Sequence, residues 1–315
     1  MRVLITGASG FAGGHLARAC ADAGDEVTGI SRRGVSPAGE ARPVDLRVFA
    51  DVRAAVREAS PDVVYHLAAL SSVGRSWEDP SETVQANMTS DTNLLEAVRH
   101  EAPGARLVWV SSCEVYGSAP SLPAAEDAPL SPANPYAVSK TAGEQLAGLY
   151  HQAYRIDVIR ARPFNHAGPG QLPIFILSSL VRQAAEARLA GEARLRLITG
   201  NPETRRDFTD VRDVARAYRL LAARAEPGIY NVSSARSISA AEQVRLLAEL
   251  IAPIEVEHVI DPARVRSHEV MDLSGANNRI REATGWQPEI PFQQTMLDTL
   301  HWWEHELTNA GALPN

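Results

Sequence analysis

The chain reads as an α/β protein, a doubly wound parallel sheet with a smaller C-terminal substrate lobe. Three observations predict this. Short β-branched runs alternate with amphipathic stretches through the first 165 residues. The strand runs are apolar throughout, as strands buried on both faces require. A glycine-rich turn follows the first run directly.

In order, strands are predicted at 2–6 (RVLIT), 26–31, 62–68, 106–112 and 156–163, with helical patterns at 11–23, 48–59, 82–101 and 135–154 between them. Strands separated by helices form right-handed β-α-β units, and hence a parallel sheet covered on both sides. After residue 165 the rhythm changes: helix 173–190, a strand near 194–199, the polar turn GNPETRRDF, helix 210–224 and the strand IYNV. Helix 239–251, a strand near 254–260, a charged loop and the final helices complete the chain. The expected division is a dinucleotide-binding domain over 1–165 with 207–235 interleaved. The substrate-binding lobe takes 166–206 and 236–315.

The 315 residues, 45% of them hydrophobic, can bury a sizeable core, yet no apolar run is long enough to span a membrane. The N-terminus enters a strand and a glycine turn without a signal-peptide pattern. Cys20 and Cys113 are the only cysteines, which fits a reducing, cytoplasmic setting rather than a disulfide framework. A net charge of −7 argues against nucleic acid as a partner, and no metal site is expected. Of 31 basic side chains one is lysine, Lys140, leaving 30 arginines. Such a lone ammonium marks a place where arginine is not an equivalent replacement.

Gly7, Gly10 and Gly13 frame the turn, with Phe11 and Ala12 opening the first helix. Gly7 permits the turn, Gly10 lets the backbone approach a pyrophosphate, and Gly13 packs helix on strand. The helix N-terminus offers free N–H groups to the anion. The second strand ends in Ser31-Arg32-Arg33, where NAD sites place an acid; a hydroxyl and two guanidiniums suit a 2′-phosphate, so NADP(H) is favoured over NAD(H).

Tyr136 and Lys140 stand four residues apart at the start of a helix and share a face. A phenol has a pKa of about 10, and a nearby ammonium with an oxidised nicotinamide is expected to bring it toward neutrality. Tyr136 can then exchange a proton with a sugar oxygen as a hydride moves. Ser112, at the carboxyl end of the fourth long strand, is placed to hydrogen-bond the same oxygen.

This G-x-x-G-x-x-G spacing, with Ser112, Tyr136 and Lys140, resembles the extended short-chain dehydrogenase/reductases, a Rossmann-type superfamily, over nearly the whole chain. The resemblance implies an adenine contact at Asp45 with Leu46 beside it, a pyrophosphate and ribose wall at Leu67, Ala68 and Ala69, and further cofactor contact at Pro163. The run Arg162–Gln171 (RPFNHAGPGQ) is very similar to a signature of GDP-mannose-derived sugar enzymes, both 4,6-dehydratases and 4-keto-6-deoxymannose reductases. It implies that Asn165 reaches the substrate diphosphate, with Arg206 and Arg266 clamping it and Glu269 accepting from the nucleoside. Ser72, Ser112 and Cys113 are implied as further substrate contacts. The Arg266–Val270 loop departs from the family's R-P-S-E-V pattern. Glu114 occupies the place of the acid that works at C5 in the dehydratases, and is also found in related reductases; Cys113 stands where several dehydratases carry Asp.

Segments 206–213, 230–232 and 284–288 look reductase-like. The leading expectation is therefore NADPH-dependent reduction of the C4 ketone of a nucleotide-linked, GDP-type 4-keto-6-deoxyhexose. Tyr136 protonates the oxygen, Lys140 tunes Tyr136, and Ser112 orients the carbonyl. The alternatives are a 4,6-dehydratase using tightly bound NADP⁺, with Glu114 at C5, then a nucleotide-sugar 4-epimerase. Outside catalysis stands an NADP(H)-binding regulator, which has no need of a tuned phenol. Relatives commonly dimerise through the helix bearing Tyr136, which implies a homodimer.

Overall fold

The computed structural model describes residues 1–265 and 270–311. Seven strands form the main sheet: β1 (Arg2–Thr6), β2 (Glu26–Ser31), β3 (Glu40–Pro43), β4 (Val63–His66), β5 (Arg106–Val110), β6 (Asp157–Pro163) and, from far downstream, β10 (Gly228–Val232). All pair in parallel, in the order β10-β6-β5-β4-β1-β2-β3. The winding reverses between β1 and β4, so the connections leaving their carboxyl ends diverge and open a crevice there.

Helices α1 (Phe11–Asp22), α2 (Phe49–Ala59), α3 (Val73–Glu78), α4 (Pro80–Glu101) and α5 (Pro135–Tyr154) connect the strands of the first half. Leu16, Ala17 and Cys20 of α1 bury against one sheet face with Val214 and Tyr218 of α7 (Val211–Arg224). Ile280 of α9 (Asn278–Thr284) and Trp286 complete that layer, although they lie in the stretch expected in the smaller lobe. Residues of α2, α4 and α5 cover the other face around Leu4, Val64 and Trp109. The second lobe has its own core, built by α6 (Ile176–Ala190), α8 (Ala240–Leu250) and α10 (Phe292–Gly311) against β8 (Arg194–Thr199). There β12 (Glu255–Ile260) pairs with β8, while β9 (Arg205–Asp210) lies between β11 (Ser237–Ser239) and β13 (Asp272–Leu273) and also pairs with β7 (Asn165–Ala167).

The strands expected at 62–68 and 106–112 stop at His66 and Val110, because Leu67–Ala69 and Ser111–Ser112 leave the sheet to line the crevice. The helix expected from 82 begins at Pro80, where Asp79 accepts the Glu82 N–H at 2.9 Å. The short helix α3, capped by Ser72, and the small strands around β9 had no periodicity to announce them. None of the described helices is long and apolar enough to cross a membrane.

Candidate active site

The crevice is a single cleft of about 1040 Å³, running from the β1–α1 turn, past the start of α5, to β8 and β9 of the second lobe. That exceeds the needs of one drug-sized ligand and leaves room for two extended ones end to end.

At one end, Gly7 has φ +74°. A side chain there would stand 3.0 Å from the Ala68 backbone, and one at Gly13 would collide with the Gly7 carbonyl oxygen. Helix α1 thus sits as close to the strand as backbone permits. Gly10 is its N-cap, with no side chain capping it and no acid in the first turn. The first N–H groups are therefore open to an anion. These features fit a dinucleotide pyrophosphate. Phe11 stacks on His166 at 5.9 Å and 6° between planes, joining this turn to the RPFNH run.

Arg32 and Arg33 line the cleft past β2 and have no ion-pair partner among the described residues. Ser31 bonds the Val35 backbone at 3.1 Å through both its donor and acceptor roles. Asp45 is held by Arg47, whose guanidinium donates at 2.7 Å; that bonding pulls the carboxyl down to about 2. Arg47, which also lines the cleft, was not foreseen, and its two-residue spacing from Asp45 was the available signal.

The middle is the most ordered part. Asn134 caps α5 by accepting the Ala137 N–H at 2.8 Å, and its amide donates to Glu114 at 2.9 Å. Ser139 donates to the Tyr136 carbonyl and accepts from Asn87 of α4, fixing the turn that carries the phenol. Ser112 accepts the Glu114 N–H at 3.2 Å, leaving its own proton to donate into the cleft. Ser112, Tyr136 and Lys140 are all buried and all line the cleft, as do Cys113 and Glu114.

The protein by itself sets the phenol in one direction. Burial pushes the Tyr136 hydroxyl well above the usual tyrosine range, while Ser112 pulls the other way. The polypeptide alone therefore holds Tyr136 as a neutral acid rather than a phenol already tuned toward neutrality. That is the protonation state a proton donor must start from. Burial also lowers Lys140, against the charges of Asp91 and Glu144. It pushes the Cys113 thiol well up, which makes a poor substitute for a carboxylic acid. His166 is lowered by burial and accepts no acid role; its ring bonds the Phe164 carbonyl at 3.1 Å.

At the far end Asn165 lines the cleft with Oδ1 buried and, among the described residues, unpartnered. Arg206 binds the carbonyls of Arg205 and Val270 through Nη1, at 2.7 and 2.8 Å, and meets no carboxylate among the described residues. Ser72, Leu46, Leu67, Ala68, Ala69 and Pro163 reach the same cleft. Arg266 and Glu269 lie outside the described residues. Thr204 and Gln243 were missed: both line this end with a buried oxygen lacking a partner among the described residues, and neither belongs to a motif.

Residues 4–299 match the family described as GDP-mannose 4,6 dehydratase. The chain belongs to this family. Within its wider relatives, it is 37% identical to the GDP-6-deoxy-D-mannose reductase of Pseudomonas aeruginosa, over 96% of this chain and 97% of that one. It is 32% identical to a UDP-glucose 4-epimerase of Mycolicibacterium smegmatis, over 97% and 99%. The fold matches the RMD protein of P. aeruginosa, solved with NADPH, at a TM-score of 0.86 and 34% identity, covering 97% of this chain and 100% of that one. The family accounts for the Rossmann-type sheet and for enzymes of nucleotide-sugar chemistry among the relatives.

Proposed function

We propose that this protein reduces the C4 ketone of a nucleotide-linked 4-keto-6-deoxyhexose, GDP-linked for preference, using NADPH. The observation that carries the reading is the buried Ser112–Tyr136–Lys140 group opening onto a cleft with a glycine cradle at one end and, at the other, an Arg206 that meets no carboxylate among the described residues. The likeness to the P. aeruginosa reductase and to the NADPH-bound RMD structure supports it. Gly7, Gly10, Phe11, Ala12 and Gly13 would hold the cofactor pyrophosphate, Arg32 and Arg33 its 2′-phosphate, and Asp45 with Leu46 its adenine end. Leu67, Ala68, Ala69 and Pro163 would wall its ribose and nicotinamide. A dihydronicotinamide supplies the hydride. Ser112 donates to the carbonyl oxygen and holds it in line, Tyr136 passes it a proton, and Lys140 steadies the resulting phenolate. Asn165, Arg206 and Arg266 bind the diphosphate, with Ser72, Cys113 and Glu269 as further contacts.

The chain is proposed to divide into 1–165 with 207–235, for the cofactor, and 166–206 with 236–315, for the substrate. Val138 and Leu149 are exposed, eleven residues or three turns apart on α5. They support a homodimer packed through that helix. Two cysteines, both buried and unpaired, support a cytoplasmic location.

Glu114, tethered by Asn134, favours a second reading, the 4,6-dehydratase, in which it would take the C5 proton. Purified protein with a GDP-linked 4-keto-6-deoxyhexose should oxidise one NADPH per sugar reduced, and use NADH less well. Turnover of GDP-mannose to a 4-keto sugar with no reductant added would overturn the reductase reading in favour of the dehydratase.

A further inference from the structure

Behind the cleft lies a chain of buried polar groups. Thr6 Oγ1, at the end of β1, accepts the N–H groups of Leu67 and Ala68, each at 3.1 Å. Its own proton therefore goes to His66 Nδ1, at 2.8 Å. That fixes the tautomer: His66 Nε2 carries the hydrogen and donates it to Asp91 Oδ1 of α4, at 2.8 Å. His66 and Asp91 are 0% and 1% exposed, and burial lowers the imidazole, which keeps it neutral.

Asp91 is thus a buried carboxylate with one neutral partner. Its other oxygen, Oδ2, is buried with no hydrogen bond. That oxygen rests against Gly143 of α5, where any side chain would collide with it. Gly143 lies three residues beyond Lys140, on the same face of the helix. An uncompensated buried charge is costly and calls for an opposite one nearby.

Among the described residues, the carboxylates whose charges act on Lys140 are Asp91 and Glu144. Glu144, on its own helix, is already matched by the buried Arg162 of β6, whose guanidinium donates at 3.1, 3.0 and 2.6 Å. His66 of β4 is neutral, and Tyr136 is a neutral phenol. Asp91 of α4 alone has a charge without a cation of its own. We propose that Asp91, fixed by the Thr6–His66 bonds, is the counter-charge that keeps Lys140 an ammonium, and so acts on the cleft as a positioning residue from behind it. Its charge and that of Lys140 compensate each other through the α4–α5 contact, and Gly143 is the notch that admits the carboxylate.

The composition provides an unusual probe. Lys140 is the only lysine, so protein grown with ¹³Cε-lysine gives a single lysine side-chain signal whose shift reports its protonation. In the wild type the signal should remain that of an ammonium at neutral pH, even though burial lowers the group from its ordinary value. In Asp91→Asn its midpoint should fall by about one unit or more, the scale of losing a nearby opposite charge. A structural role alone would not move this midpoint. An unchanged midpoint in folded Asp91→Asn overturns the proposal, and so does a wild-type lysine already neutral near pH 7. Should Asp91→Asn fail to fold, Asp91→Ser carries the same expectation and the wild-type titration still decides. The proposal rests on the reading of Lys140 as the partner of Tyr136. The titration needs no substrate, so its failure leaves the reductase assay to stand or fall separately.

Discussion

The two walls of the cleft differ in how far their hydrogen bonding is satisfied from within. On the wall built by β1, β4, α4 and α5, most polar groups are buried and interlocked: Thr6 with His66, Asn87 with Ser139, Asn134 with Ala137 and Glu114; Asp91 Oδ2 and, just after β5, Ser111 Oγ are exceptions among the described residues. On the opposite wall, Asn165, Thr204 and Gln243 each keep a buried oxygen without a partner among the described residues, and there Arg206 is tied only to carbonyls. Buried polar groups are normally satisfied, so unmet ones gathered in one cleft point to a ligand that completes them. The contrast places rigid, pre-set chemistry on one side and recognition left open on the other. A tuned proton donor must not move between states, whereas a recognition surface is completed by what it binds.

The largest expected consequence falls on the closed wall. Tyr136→Phe keeps the ring and its packing and removes the proton donor. Reduction should slow by about 10²–10⁴-fold, the usual worth of general acid catalysis, with NADPH affinity within a few-fold of wild type by fluorescence titration. A variant that loses cofactor binding to the same degree would blur the two walls into one. On the open wall, Arg206→Gln should raise KM for the nucleotide sugar about 10–100-fold with kcat little changed, as expected for a lost hydrogen bond to a charged group. Equal losses in kcat would mean that the guanidinium acts on the chemistry itself.

The smallest effect sharpens the same contrast through pH. Burial holds His15, His66 and His166 below the usual histidine range. Their contribution is present above about pH 6.5 and is lost as pH falls, because the unfolded chain takes up protons the native one refuses. Asp207, raised to about 6 by burial, runs the other way: its contribution is present in acid and fades as pH rises through 6. Three groups against one leave a net loss of stability as pH falls from about 6.5 to 5, measurable by urea unfolding. A flat profile would show these imidazoles to be hydrated.

The closed wall was legible in the sequence because it is local. A glycine turn after a strand, an Asn-Pro cap and a four-residue Tyr–Lys spacing each fix a geometry within a few residues, and strands 2–6 and 26–31 were read to the residue. The burial that raises the phenol in the protein alone was not legible, since it comes from segments far apart in the chain. The open wall was legible only where a motif crossed it, at Asn165 and Arg206. Thr204 and Gln243 reach the cleft because β9 pairs with β11 and so brings α8 alongside, a pairing of three residues on each strand with no period to detect. Asp91 was hidden for the same reason: its meaning lies in contacts to His66, 25 residues back, and to Gly143 on the next helix.

Isotope transfer tests the central claim most directly. With NADPH deuterated at the transferable position of the nicotinamide and a GDP-linked 4-keto-6-deoxyhexose, one deuterium should appear at C4 of the sugar for each NADPH oxidised. Sugar product without deuterium at C4, or label that never leaves the coenzyme, would contradict a carbonyl reductase built on Tyr136, Lys140 and Ser112.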